Sequence, residues 1–172
     1  MSEPAPAPRV VLVGPPAAGK TTVGRLLAER LGVDFVDTDD LVVAAAGKPV
    51  GDIFVDDGEE AFWALEVAAV ARALERDGVL ALGGGAVLAA QTRERLAGHP
   101  VVLLAASVPT SAGRVGLNRD RPLLLGNPRQ QLRALLEARL PLYREVAMAA
   151  VDTDGRTPDE VADAVLAALD RG

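Results

Sequence analysis

Cysteine is absent from the chain of 172 residues, and histidine occurs once, at His99. Without thiols there are no disulfides and no thiolate metal sites, and one histidine cannot build a zinc centre. No apolar run reaches the ~20 residues that a membrane-spanning helix needs. The leader Ser2–Pro8 is too proline-rich and too polar for a secretory signal, so we expect a flexible tail over residues 1–8. We therefore predict a cytoplasmic protein, with His99 in a loop before a strand.

Positive charge is also in short supply, since the net charge is −6. Nucleic-acid binding depends on a basic surface that displaces counterions, so this balance argues against a nucleic-acid partner. The remaining length suits one domain, and no linker-like stretch divides it. We expect a single domain over residues 9–172 and a monomer.

The most informative feature that is present is the octapeptide Gly14–Thr21, which fits the pattern G-x-x-x-x-G-K-[ST]. The apolar run Arg9–Val13 before it predicts a buried strand. The segment Thr22–Leu31 after it has apolar residues at helical spacing and stops at Gly32. Strand, glycine loop and helix therefore arrive in the order that phosphate binding requires.

Each residue type in this loop has a physical reason. Glycines at both ends let successive backbone N–H groups point inward, and the following helix N-terminus adds partial positive charge. Lys20 is expected to reach the β- and γ-phosphates, and the Thr21 hydroxyl is expected to coordinate Mg²⁺. Thr22 helps to start the helix. The alternative is a chance glycine-rich turn that binds nothing.

The rest of the chain alternates strand with helix. This alternation predicts an α/β fold of three layers, in which a five-stranded parallel sheet carries helices on both faces. Ligands in such sheets bind beyond the carboxyl ends of the strands. Thr157 and Glu160 predict a capping box at the last helix. The later strands are predicted at Val33–Asp37, Val79–Leu82, Val101–Ala105 and Ala149–Asp152, with helices over Leu65–Leu74, Arg129–Val146 and from Thr157 onward.

Two motifs follow predicted strands and are therefore expected at the ligand-binding edge. Carboxylates in Asp37–Asp40 are suited to holding Mg²⁺ through water and to orienting an attacking hydroxyl. The alternative is that Asp39 or Asp40 caps the next helix. The glycines Gly83–Gly85 allow a ligand to approach the backbone closely, although a plain turn would explain them too.

A polar stretch with arginines, Asn118–Leu123, lies between two predicted helices. Its length is that of a mobile lid, and an arginine on a lid would neutralise charge during phosphoryl transfer. A solvated loop is the alternative.

Taken together, these motifs resemble the shikimate kinase family, whose members transfer the ATP γ-phosphate to the 3-hydroxyl of shikimate. The resemblance runs from about Arg9 to the last helix and implies a fold of the P-loop NTPase type. It places substrate-binding helices at about residues 39–66 and a lid at about residues 114–127. It rests on the ordered set Gly14–Thr21, Asp37–Asp39, Asp52–Phe54 with Gly58–Glu59, Leu82–Gly85, Arg121–Leu124 and Arg139–Arg144.

The resemblance also implies roles for individual residues. Lys20, Asp39 and Arg121 are implied to be catalytic, with Asp39 as the base that binds the shikimate hydroxyl. Thr21 holds Mg²⁺, and Asp37 holds it through water. The implied shikimate-binding residues are Asp39, Gly83, Gly84, Gly85 and Arg139, and the implied ATP-binding residues are Gly14, Ala17, Ala18, Gly19, Lys20, Thr21, Thr22, Arg114, Arg121 and Arg156, with Pro158 near adenine.

One position departs from the family pattern. Where the family has an arginine in G-E-x-x-F-R-x-x-E, this chain has Trp63 in Gly58–Glu66. That arginine helps to bind the shikimate carboxylate, and its loss would weaken binding by roughly ten- to hundredfold. Three interpretations stay open: a shikimate kinase with a weaker grip, a pocket remodelled for another acceptor that Trp63 lines, or an engineered or degenerate copy. Trp63 as a plain core residue is a fourth.

Other functions compete with this one. A related kinase would phosphorylate a sugar acid or an aminated shikimate analogue, and Trp63 favours that alternative. A regulatory nucleotide switch would need a guanine-selective N-K-x-D element, which Asn118–Arg121 does not supply. A binding module without catalysis leaves the carboxylates of Asp37 and Asp39 unexplained.

Overall fold

The computed structural model describes residues 5–15, 18–106 and 128–171. The predicted Ala17, Arg114, Arg121 and the lid at 114–127 lie outside the described residues. The strands are β1 Pro8–Val13, β2 Phe35–Asp37, β3 Gly78–Ala81, β4 Val101–Ala105 and β5 Ala149–Asp152. The described helices are α1 Lys20–Leu31, α2 Thr38–Ala46, α3 Val50–Asp56, α4 Glu59–Ala73, α5 Ala90–Leu96, α6 Pro128–Val146 and α7 Pro158–Arg171.

All five strands form one parallel sheet in the order β2-β3-β1-β4-β5. Leu12 on the central strand β1 pairs with Ala81 on one side and with Val102 on the other. The predicted five-stranded parallel sheet is therefore confirmed. Because all strands point the same way, their carboxyl ends form a single edge, where the residues after β1, β2 and β3 meet.

Side chains of β1 alternate between the two faces of the sheet. Val10 and Leu12 are fully buried against α1 and α7, whereas Val11 and Val13 are buried on the opposite face with α4, α5 and α6. Strands covered on both faces read as continuous apolar runs, which explains the sequence of β1. The predicted three layers are confirmed.

Helices α2, α3 and α4 enclose a third, smaller apolar cluster beside the edge of the sheet. Its buried members are Val42, Ile53, Phe62 and Ala69. The helices overlap the stretch 39–66 that the resemblance assigns to substrate binding, although α2 begins at Thr38 and α4 continues to Ala73. A separate core of this kind lets these helices present their ends to the sheet edge.

Some predicted boundaries were wrong. The strand expected from Val33 begins at Phe35, because the Val33 N–H donates to the Ala28 carbonyl at 3.0 Å and thereby completes the end of α1. Gly32 provides the left-handed residue that this ending requires, with φ 69°. The strand predicted at Val79–Leu82 is shifted by one residue, to Gly78–Ala81, since the chain already turns toward Gly83.

Other local predictions are confirmed. His99 lies in the loop before β4. Thr157 and Glu160 form the capping box: the Thr157 N–H donates to Glu160 Oε1 at 3.1 Å, and the Glu160 N–H donates to Thr157 Oγ1 at 3.2 Å. Within residues 5–15, 18–106 and 128–171, none of the helices has both the length and the apolar character to cross a bilayer.

Candidate active site

The phosphate-binding loop connects the end of β1 to the start of α1. Gly14 has φ 150°, and a Cβ there would collide with the carbonyl of Leu104 on β4. Gly19 is left-handed with φ 93° and precedes the first turn of α1. Ala18 is buried below the loop. Glycine is therefore required at both ends for geometric reasons, as the motif predicts.

Lys20 crosses its own loop. Its Nζ donates to the carbonyl oxygens of Gly14 at 2.8 Å and of Pro15 at 2.9 Å. The ammonium group is thus held at the loop beside the N-terminus of α1, whose partial positive charge favours an anion. Thr21 and Thr22, the next residues of α1, are both exposed.

Asp37, the last residue of β2, faces this loop. The Thr21 hydroxyl donates to Asp37 Oδ2 at 3.1 Å, and the Asp39 N–H donates to Asp37 Oδ1 at 2.8 Å. Asp37 is therefore the N-cap of α2, and the suggestion that Asp39 or Asp40 caps this helix is wrong. The backbone of Asp37 is extended, with φ −111° and ψ 128°, as is typical of a residue that caps a helix in this way.

Burial raises the pKa of the Asp37 carboxyl, and the negative charge of Asp39 raises it further. Hydrogen bonds from the Asp39 N–H and the Thr21 hydroxyl lower the pKa and only partly oppose this. The anionic form of Asp37 is therefore costly in the protein alone. A cation between Asp37 and Thr21 would remove that cost, since both groups offer the hard oxygen atoms that Mg²⁺ prefers.

Asp39 lies on the first turn of α2 and reaches the glycine loop that follows β3. A Cβ on Gly83 would come within 2.7 Å of Asp39 Oδ1 and within 2.7 Å of Glu66 Oε2. Carboxylates from two different helices thus lie in close contact with Gly83, and Glu66 is only 3% exposed. Neither carboxylate could occupy this position beside any larger residue.

Arg139 on α6 lies at the other end of the glycine loop, near Gly85. A Cβ on Gly85 would lie 3.3 Å from Arg139 Nη2, and 2.6 Å and 2.9 Å from two ring carbons of Trp63. Arg139 is only 5% exposed, and no carboxylate among the described residues pairs with it. A buried guanidinium without an ion-pair partner is expensive unless an anion binds there.

Two residues without an assigned role hold the glycine loop in place. The Gly83 N–H donates to the fully buried Thr38 hydroxyl at 2.9 Å, and the Tyr143 hydroxyl donates to the Gly84 carbonyl at 2.6 Å. The Gly83 N–H is therefore already engaged within the protein. The sequence analysis assigned neither residue a role; the only local signals are that Thr38 lies between Asp37 and Asp39 and that Tyr143 lies one helical turn after Arg139.

The structure thus brings most of the predicted site residues to one edge of the sheet. Lys20, Thr21 and Asp37 meet at the phosphate loop, while Asp39 and Arg139 lie at opposite ends of the glycine loop. Arg156 instead lies exposed in the loop between β5 and α7, and no described contact connects its side chain with the others.

A phosphate-binding loop beside strand-end carboxylates, together with a second glycine loop that has Asp39 at one end and Arg139 at the other, defines a small-molecule kinase of the P-loop class. The sequence model described as shikimate kinase matches residues 16–170 of the chain. The chain belongs to the shikimate kinase family.

Individual relatives agree with this membership. The chain is 61% identical over 164 residues to a shikimate kinase of Streptomyces avermitilis, covering 95% of this chain and 96% of the relative. It is 60% identical over 161 residues to a shikimate kinase of Saccharopolyspora erythraea, covering 92% of each. Among solved structures, the shikimate kinase of Acinetobacter baumannii in complex with shikimate matches with a TM-score of 0.89 and 40% identity, over 94% of this chain and 91% of that one.

Proposed function

We propose that this kinase transfers the γ-phosphate of ATP to the 3-hydroxyl of shikimate. The observation that carries the proposal is the pair of opposite charges at the two ends of the glycine loop. Arg139, which is buried and pairs with no carboxylate in the part of the chain that the structure describes, suits the acceptor's carboxylate, and Asp39 suits the hydroxyl that is phosphorylated. Shikimate has both groups on one six-membered ring, so one molecule spans the loop.

The proposed chemistry is divided between the acceptor side of the site, at Asp39, and the nucleotide side, at the phosphate-binding loop. Asp39 accepts the proton of the attacking hydroxyl, whose oxygen forms the new bond to the γ-phosphorus while the bond to the leaving ADP oxygen breaks. Lys20 leaves the carbonyls of Gly14 and Pro15 and stabilises the β- and γ-phosphates. Arg121 is proposed to neutralise the charge that spreads over the transferring group.

Mg²⁺ is proposed to bind with ATP and to neutralise charge on the phosphate oxygens. Thr21 would hold the ion directly and Asp37 through water, which agrees with their oxygen chemistry and with the raised pKa of Asp37. Since no cluster of three or more acidic or histidine side chains poised for a metal occurs in the described ranges, the other ligands would be phosphate oxygens and water.

The remaining nucleotide contacts are proposals as well. Backbone N–H groups of Gly14, Ala17, Ala18, Gly19, Thr21 and Thr22 would cradle the phosphates, once the Ala18 N–H leaves the Pro15 carbonyl to which it donates at 3.2 Å, while Arg114 and Arg156 would lie at adenine. A monomer in the cytoplasm, with no nucleic-acid or membrane partner, remains the prediction from sequence.

The test is steady-state phosphorylation of shikimate with ATP and Mg²⁺ by the native enzyme, Asp39→Asn and Asp40→Asn. Asp40 is an exposed neighbour on the same turn, so it controls for the loss of one negative charge. We expect Asp39→Asn to lower kcat by about 10²–10⁴-fold and Asp40→Asn to stay within about threefold of native. Equal losses in both variants, or native enzyme that does not turn over shikimate, would contradict the proposal.

A second acceptor deserves a test because Trp63 replaces an arginine of the family pattern. The competing substrate would be a sugar acid or an aminated shikimate analogue. ATP consumption with a panel of such alcohols, corrected for background hydrolysis, decides between them. If the enzyme clearly prefers another acceptor, that acceptor replaces shikimate as the proposed substrate, and the proposed phosphoryl-transfer chemistry stays the same.

A further inference from the structure

The indole of Trp63 is held in a defined orientation at the glycine loop. Its Nε1–H donates to Glu59 Oε1 at 3.1 Å, one helical turn earlier on α4. The opposite edge of the indole, at Cη2 and Cζ3, lies against Gly85, close enough that a Cβ on Gly85 would be 2.6 Å and 2.9 Å away. The polar edge of the indole therefore lies at the exposed Glu59, and its apolar edge lies at the glycine loop.

Aromatic packing holds the indole in that position. The Phe62 ring meets the Trp63 ring edge to face, with centroids 5.1 Å apart and planes at 67°, and Phe54 packs on Phe62 at 4.7 Å. Trp63 itself is half-buried, so part of its surface stays open for contact. Side chains fixed in this way lose little entropy when a ligand binds.

Arg139 adds the charge that the indole does not have. A Cβ on Gly85 would contact both the Trp63 ring and Arg139 Nη2, so an uncharged ring and a buried cation lie next to the same residue of the loop. A ligand at this point has its anionic group directed to Arg139 and its carbon skeleton directed to the indole.

We propose that Trp63 determines acceptor specificity by forming an uncharged wall of the acceptor site. The acceptor class is a hydroxylated six-membered ring with one carboxylate, in which Arg139 binds the carboxylate and the indole contacts the ring. This inference rests on the proposed function. It predicts that position 63 decides how strongly the enzyme distinguishes a charged acceptor from an uncharged one.

The experiment compares kcat/KM for shikimate and for its uncharged methyl ester in the native enzyme, Trp63→Arg and Trp63→Phe. A charge-assisted contact changes affinity by about ten- to hundredfold, so the native enzyme should prefer shikimate by roughly that factor. Trp63→Arg should increase this preference by a further factor of about ten, because a second guanidinium acts on the carboxylate alone. Trp63→Phe should keep the native preference within about twofold while lowering kcat/KM for both acceptors equally.

An unchanged preference in Trp63→Arg would overturn the inference, because position 63 would then not face the carboxylate. A preference altered in Trp63→Phe would overturn it as well, since phenylalanine carries no charge. Circular dichroism of each variant checks that it is folded.

A second measurement uses the native protein alone, in which Trp63 is the single tryptophan. Saturating shikimate should change the intensity or wavelength of its fluorescence without ATP. Turnover of shikimate with no change in emission would overturn the inference while preserving the proposed function. Absence of both turnover and shikimate binding would overturn the proposed function itself, so the two failures are distinguishable.

Discussion

Tyr143→Phe should break the hydrogen bond that connects the glycine loop Gly83–Gly85 with α6, the helix that carries Arg139. The Tyr143 hydroxyl donates to the Gly84 carbonyl at 2.6 Å, and Tyr143 is only 1% exposed. Phenylalanine keeps the ring and its packing but leaves a buried carbonyl without this donor. The cost is about 1–3 kcal/mol of the free energy of unfolding. For a chain of this size each kcal/mol lowers Tm by about 2–4 °C, so Tm should fall by roughly 2–12 °C.

The same substitution should have a selective kinetic effect. Tyr143 lies one turn after Arg139 on α6, so its hydrogen bond fixes the spacing between the guanidinium and the loop Gly83–Gly85. We expect KM for shikimate to rise by about three- to tenfold, equivalent to at most ~1.4 kcal/mol, while KM for ATP stays within about twofold. Urea or thermal unfolding measures the first effect and steady-state kinetics the second.

Thr153→Val is a matched control. Its hydroxyl also donates to a carbonyl from a buried position, to Ala105 at 3.0 Å, but at the end of β5 rather than at the glycine loop. It should lower stability without changing KM for shikimate. Unaltered stability in Tyr143→Phe would refute the hydrogen bond, and equal increases in both KM values would refute its selective role.

Four further predictions concern substitutions at Gly83, Asp37 and Thr157. Gly83→Ala should lower kcat about 100-fold, because its Cβ must displace the carboxylates of Asp39 and Glu66, whose nearest oxygens would be 2.7 Å away. A kcat equal to that of the native enzyme would show that the carboxylates lie elsewhere. Asp37→Asn should raise the Mg²⁺ concentration needed for half-maximal activity about 10–100-fold, and an unchanged Mg²⁺ titration would exclude a role in holding the ion. Because folding raises the pKa of Asp37, native stability falls as pH rises from the ordinary aspartate value through the raised one. Asp37→Asn should therefore be more stable than native in thermal unfolding at neutral pH and equal to it below both pKa values; no difference at neutral pH would contradict the raised pKa. Thr157→Ala breaks the capping box and should lower the free energy of unfolding by about 1 kcal/mol in urea titrations. Thr157→Ser should keep the native stability. If Thr157→Ala is as stable as the native protein, the capping box does not contribute.

Much of the fold was predictable because its signals are local. The continuous apolar run of β1 requires burial on both faces, and the loop Gly14–Thr21 requires a strand before it and a helix after it. Val33 shows where local signals fail. Its β-branched side chain favours a strand, but its N–H donates to the Ala28 carbonyl and thereby completes the end of α1. The same N–H cannot also pair within a sheet, so the strand begins later.

The candidate site was predictable only in part. Residues in ordered motifs, such as Lys20 and Asp39, could be predicted because their chemistry is visible in the sequence, and the structure brings them to the same edge of the sheet as Asp37 and the glycine loop. The supporting roles of Thr38 and Tyr143 could not be predicted, because each depends on a hydrogen bond to a glycine at least 45 residues away in the chain. The sequence also did not reveal that the Asp37 carboxylate, which we propose holds a cation, caps α2.

The sequence by itself determined the alternation of strands and helices, the parallel sheet and the phosphate-binding loop, because these follow from apolar periodicity and from the backbone freedom of glycine. Only the tertiary structure decided the strand order, which places the ends of β1, β2 and β3 side by side. It also decided that Trp63 and Arg139, distant in sequence, border the same glycine. Contacts of this kind depend on how α4 and α6 pack around the sheet, and no local pattern of residues encodes that packing.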